Sequence, residues 1–367
     1  MTKNLLTTAD LALPPLHLEG STAYSYEFFR VLAANMNLGD LPHPIRARNL
    51  GLYPVWRQWA EERGGTIALF ADLLSSPRSR FEQCVDLFDV AIKSDRMWSK
   101  IRRSTSMDQT PNPLAAMATA PLMFWSAPHV FIEPTAGLQQ LLANSDLGED
   151  IPLNLLRPPT TVSYIRFGPV LRHAVTPLPP EADLGPIEGV YVFESVRESQ
   201  RALAFVPIYG HPGKVITGIY AIDMMVKDEN QSLLDSIQET CSENPWLGAH
   251  FQSIAKLSTM IFLYLNLAQT QRFEENTYTD LLLQMKRVGP KKAAKLQRQV
   301  NKNYDRIVLG PQILLNSAHG ELSTHWRRGH FRMQPHGPQN ALRKVMFIAP
   351  TVVRGDRLQG QAPDVFS

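Results

Sequence analysis

The sequence predicts an α+β protein: a helical N-terminal half, an antiparallel middle sheet, a long buried helix, and a basic helix followed by a C-terminal β-hairpin. Three observations carry that reading. Before residue 100, apolar residues recur at helical spacing, most clearly Phe81, Val85, Phe88 and Ile92. Between residues 160 and 226 the chain switches to short β-branched and aromatic runs split by Gly and Pro. Met260 to Leu265 is then apolar on every side, as in a helix at the centre of a core.

In chain order, residues 1–20 read as an arm, and Ser21 is placed to cap a first helix carrying Phe28 and Leu32. His43, between Pro42 and Pro44, is expected in an extended turn. Pro54, Trp56, Trp59 and Gly64-Gly65 mark a second helix, Ile67 to Leu74 a third, and Phe81 onward a fourth that reaches toward Trp98. Residues 104–113 read as a linker, His129 to Glu133 as a strand and Ala136 to Asn144 as a helix. Strands are expected at 162–167, 190–193, 202–209 and 215–226, with Pro207 requiring an edge or a bulge. Helices follow at 229–241, 249–272 and 277–287, the last capped by Asn276. This divides the chain into a helical region 1–110, an α+β core 111–287 and a basic end 288–367.

The composition, 44% hydrophobic and 19% charged over 367 residues, is globular. Two cysteines, Cys84 and Cys241, make no disulfide framework and read as buried thiols. The first ten residues lack a signal-peptide core, and the longest apolar run, Leu257 to Ala268, is broken by Ser258, Thr259 and Asn266. A cytoplasmic protein with no membrane partner is expected. The net charge of +3 conceals an asymmetry: Lys286 to Arg357 holds 15 Lys/Arg against three acids, a net of +12, and the remainder carries −9. Such a basic end suits a polyanion, RNA or DNA, or an acidic protein partner; the bland alternative is docking on the acidic body of the same molecule.

The basic helix starts at Gly289-Pro290. Lys291, Lys295, Arg298, Lys302 and Arg306 recur at steps of four, three, four and four, and so would share one stripe. Ala293, Leu296, Val300 and Tyr304 would line the roughly opposite face. Phosphates along the cationic stripe would relieve its self-repulsion.

The segment His325-Trp-Arg-Arg-Gly-His-Phe-Arg-Met-Gln-Pro-His-Gly337 is the densest in groups that hold anions or move protons. Read as one strand pairing with Lys344 to Ala349, it puts Trp326, Arg328, His330, Arg332 and Gln334 on one face and Phe331 and Met333 on the core side. Arg328 and Arg332 suit a phosphate, His330 could shuttle a proton, and Trp326 could stack on a base. A metal is disfavoured, since no Asp or Glu lies among these histidines and the arginines repel cations. The segment, with Arg343-Lys344 and the strand ending in Pro350, resembles a C-terminal pattern of phage, plasmid and other mobile-element proteins. The resemblance spans about 30 of 367 residues and implies a mobile-element context without a mechanism.

No P-loop, dinucleotide fingerprint, H-E-x-x-H or C-x-x-C is present, and no cofactor is expected. Gly210 to Lys214 reads as a hairpin turn, and Glu133, Glu188, Glu194 and His173 are acid/base candidates at unfixed distances. Three function classes follow. The leading one is a nucleic-acid-binding accessory protein of mobile-element or defence type. The others are an enzyme on a phosphate-bearing substrate with His330 as acid/base, and a protein-binding inhibitor or antitoxin.

Overall fold

The Val-, Ile-, Tyr- and Phe-rich runs assemble into one seven-stranded sheet in the order β6-β5-β4-β3-β1-β8-β7. Its strands are β1 (His129–Pro134), β3 (Val162–Arg166), β4 (Ile187–Arg197), β5 (Gln200–Tyr209), β6 (Ile222–Val226), β7 (Arg272–Glu275) and β8 (Arg306–Leu309). The computed structural model describes residues 27–28, 41–64, 70, 72–74, 76–93, 113–178, 185–197, 199–210, 221–242, 248–268, 270–311 and 324–354. The N-terminal arm, the helix start at Ser21, the stretch toward Trp98, the linker, the turn at 211–214 and most of the 67–71 stretch lie outside those residues.

The meander β3-β4-β5-β6 is antiparallel, as its turn-punctuated sequence requires. Strand β1, by contrast, pairs in parallel with both β3 and β8. Pro207 pairs with Val190 on internal strand β5, beyond the Arg201–Phe205 stretch that β6 covers.

Helices cover both faces. On the first side lie α1 (His43–Asn49), α2 (Leu52–Arg63), α3 (Phe81–Lys93) and α4 (Pro113–Ser126). Phe124 of α4 meets Phe131 and Tyr191, and Phe81 stacks on Phe193. Behind them Phe28, Trp56, Trp59, Phe70 and Phe88 form a buried aromatic nest. The other side carries α5 (Ala136–Ala143), α6 (Pro169–Ala174), α7 (Leu233–Ser242) and α8 (Gly248–Leu265). Every residue from Leu257 to Leu265 is buried, which makes α8 the expected core helix, and Cys84 and Cys241 are buried free thiols.

His43 departs from expectation: it opens α1 rather than an extended turn. Prolines at the N-cap and in the first turn sacrifice no helical N–H. The ring is buried and hydrogen-bonded through Nδ1 to the Tyr191 hydroxyl at 2.8 Å, while its backbone N–H donates to Glu188. Arg46 donates twice to the same carboxylate at 2.9 Å. This cluster ties the N-terminal helices to the sheet.

A second, three-stranded sheet has the order β11-β10-β2, formed by β2 (Ser145–Leu147), β10 (Gly329–His336) and β11 (Leu342–Ile348). The β10–β11 hairpin has the expected pairing, from His330↔Ile348 to His336↔Leu342. It docks on α8 through the Tyr264–Phe347 ring contact, and Phe331 packs on Phe347 within the hairpin itself. The expected single strand over 325–334 is two strands: β9 (Thr324–Arg327) pairs instead with β12 (Thr351–Arg354), and Arg328 lies at the break. The reason is close packing at Gly329, where a Cβ would lie 2.5 Å from Ser145 Oγ and 2.6 Å from the Ile348 carbonyl.

Candidate functional site

Strands β7 and β8 are joined by a helical arm, α9 (Thr277–Met285) followed by α10 (Pro290–Val300). Asn276 occupies the N-cap of α9 but makes no side-chain cap bond. Asp305 caps the helix from across the arm, accepting from Tyr278 N at 2.9 Å, Thr279 N at 3.1 Å and the Thr279 hydroxyl at 2.5 Å. A carboxylate there also suits the positive end of the helix dipole.

On α10, Leu296 and Val300 are buried, while Lys291, Lys295 and Arg298 are exposed. The stripe stops there. Lys302 lies in the turn after the helix, still exposed, and Arg306 is on β8, so neither continues the helical stripe. Two sets of interactions end the helix. Arg48 donates to the Val300 and Asn303 carbonyls at 3.1 and 3.0 Å, and Asn49 donates to the Asn301 carbonyl. Then Tyr304 and Arg306 turn to Glu133: the Tyr304 hydroxyl donates to Oε1, and Arg306 donates to Oε2 at 2.7 Å. Arg166 reaches Oε1 at 3.2 Å, and Arg306 also binds Glu275. Two guanidiniums thus face two carboxylates: Glu133 on β1 clamps β3 and β8, and Arg306 extends the link to β7 through Glu275. Burial, reinforced by the Glu133 charge, pushes the Tyr304 hydroxyl up to about 12, so it stays a donor.

At the root of the arm is a cleft of about 520 Å³, walled by Trp125, His129, Phe131, Tyr278, Tyr304 and Arg48 among others. The Arg48 guanidinium lies 4.2 Å from the Tyr278 ring centroid and 5.9 Å from that of Trp125. Trp125 is pinned by donation from Nε1 to the Pro44 carbonyl at 2.9 Å. Burial lowers the His129 imidazole below its ordinary range.

The C-terminal strands distribute their charged groups differently from a single face. Arg328 pairs with Asp146 at 3.0 Å, and Lys256 holds the other oxygen of that carboxylate at 2.9 Å. Arg332 is exposed and donates to Gln334 at 3.0 Å. His330 is half-buried opposite Asp146 and Ile348 in the two ladders, Phe331 is fully buried, and Met333 is half-buried. The side chain of Trp326 lies outside the described residues. The arm and these strands are therefore two separate basic features.

A profile described as AcrVA2-like, anti-CRISPR type V subtype A2 family, matches residues 132–355, more than half of the chain. The chain belongs to the AcrVA2-like family. Membership makes it a defence-related accessory protein of the mobile-element kind. The AcrVA2-like span contains Glu133, the cationic arm and the β10–β11 hairpin. Arg48, Trp125 and His129 of the cleft precede it. A crystal structure of AcrVA2 is similar over 85% of this chain and all of that one, at 12% identity and a TM-score of 0.46. No curated protein matches the chain. No helix among the described residues of this AcrVA2-like protein is long and apolar enough to cross a membrane.

Sequence reasoning did not find the cleft. Its residues come from α1, α4, β1, α9 and the α10–β8 turn, too scattered to form a local motif.

Proposed function

We propose that the chain is an anti-CRISPR factor directed at a type V CRISPR system, and that the α9–α10 arm binds nucleic acid. The observation that carries this reading is the arm's charge. From Lys286 to Lys302 there are seven Lys/Arg and no acid, and none of the seven makes an ion pair among the described residues. Arg306 and Arg328, by contrast, are matched by carboxylates of the chain itself. Like charges at helical spacing repel by a few tenths of a kcal/mol per pair, and phosphates relieve that repulsion while releasing counterions. Titration of labelled single- and double-stranded RNA and DNA against salt tests the reading. Binding should weaken steeply with salt, and Lys291→Ala/Lys295→Ala/Arg298→Ala should cut affinity at least ~10-fold and lower the salt slope by roughly 2 to 3. Absence of binding at low salt overturns it.

A protein-docking reading has its own support. Phe273 on β7 and Leu283 on α9, the strand and helix that lead into the cationic segment, are 50% and 45% exposed. An acidic protein partner with an apolar centre would cover both. In that case Phe273→Ser/Leu283→Ser would abolish inhibition of a type V effector while leaving nucleic-acid titrations unchanged.

A further inference from the structure

The reading above uses the outer face of the arm and leaves its root unexplained. Both ends of the arm converge on the cleft: Tyr278 and Thr279 open α9 there, and Tyr304 to Arg306 follow α10 there. The walls are aromatic and fixed in advance. Trp125 is held by Pro44, Tyr304 by Glu133, and the Phe131 ring packs 5.0 Å from that of Tyr304. A preformed wall loses little entropy when it binds. The cleft already accommodates a planar, delocalised group against an aromatic ring, since the Arg48 guanidinium lies against Tyr278.

Its polar groups argue against a phosphate inside. Arg48 is committed to the Val300 and Asn303 carbonyls, and Arg306 to Glu133 and Glu275. Glu274 contributes a carboxylate to the same lining, while Asp305 is committed to the α9 cap. Such a lining repels phosphate, and a carboxylate accepts readily from the exocyclic amine of a base.

We infer that this cleft takes one unstacked nucleobase of a single strand whose phosphates lie along α10; the inference rests on the nucleic-acid reading of the arm. The volume of about 520 Å³ exceeds that of one base and leaves room for its sugar as well. A base inside a duplex is stacked and paired and does not reach such a cleft without being extruded. The cleft therefore confers preference for single strands, and the arm confers affinity for any strand.

Two measurements test it. Tyr278→Ala should weaken binding of a single-stranded RNA or DNA oligomer about ten-fold, leave duplex binding and the salt slope unchanged, and be rescued by Tyr278→Phe. The single strand should also quench part of the tryptophan fluorescence, and Trp125→Phe should remove that quench while retaining most of the affinity. Undiminished single-strand binding by Tyr278→Ala overturns the inference, as does a quench that survives Trp125→Phe. The quench decides the matter if Tyr278→Ala does not fold. Failure of the wild-type chain to bind any nucleic acid at low salt defeats the arm reading and the cleft with it. Normal salt-dependent binding with neutral cleft variants defeats the cleft alone.

Discussion

Glu133 determines locally what the cationic spacing alone does not. By sequence it was an isolated acid at a strand end, while Tyr304 and Arg306 looked like further turns of a helix. In the folded chain all three meet, with Arg166 as a fourth member. Helical periodicity is a local signal, and it lost here to a half-buried carboxylate that needed donors. Glu133→Gln keeps the shape but removes the charge between two guanidiniums. It should cost about 2 kcal/mol in urea unfolding, reduced from fully buried values because Arg166 and Arg306 are about a third exposed. Paired with Arg306→Leu, the losses should be less than additive, and strict additivity would remove Glu133 from the role of clamp. Gly329, within the His/Arg-rich segment, has a packing rationale of its own. Gly329→Ala drives a Cβ against Ser145 and the Ile348 carbonyl, so a loss of about 1–3 kcal/mol is expected in the same assay. A change below the error of the measurement would show that β2 and β10 can part without cost.

At the scale of elements, what was legible followed alternation, turn residues and apolar periodicity. The β10–β11 pairing, the antiparallel meander and α8 all came from such patterns, because each is dictated by neighbours in the chain. What was illegible depended on distant partners. The parallel β1–β8 pairing, the break at Arg328 and the three-residue strand β2 are fixed by contacts across more than 100 residues. The cap of α9 is the same case: Asn276 had the right chemistry in sequence, yet Asp305 supplies the bonds. Among its residues α9 has none that is fully buried, so packing contributes less to it than to α8. Asp305→Ala should therefore cost about 1 kcal/mol and act locally. Hydrogen exchange should show faster opening of the α9 amides with the α8 amides unchanged; equal acceleration of both would mean that the arm and core unfold as one unit.

Across the whole molecule, the N-terminal helices are joined to the AcrVA2-like span through a buried polar cluster rather than apolar packing alone. That choice makes stability depend on pH. Burial, and then the Arg46 charge, hold the His43 imidazole well below its ordinary range; burial does the same, less strongly, at His250 and His129. The folded chain keeps these rings neutral, whereas the unfolded chain protonates them near pH 6.5. Unfolded chains thus bind more protons below that value, so stability is complete above about pH 6.5 and is lost progressively as pH falls toward the depressed folded values. For His43 alone the limiting slope is about 1.4 kcal/mol per pH unit. The urea midpoint should accordingly fall between pH 7 and pH 5. His43→Gln should begin lower at pH 7, having disturbed the bond to Tyr191, and should then decline less steeply. A wild-type midpoint that stays level across that interval, or a variant with an unchanged slope, would show that the cluster does not couple the N-terminal layer to the sheet through a neutral histidine. If the slope is found, acidification loosens first the layer that carries Arg48 and Trp125, and with it two walls of the cleft. Single-strand preference should then decline with pH before the salt-dependent binding of the arm does.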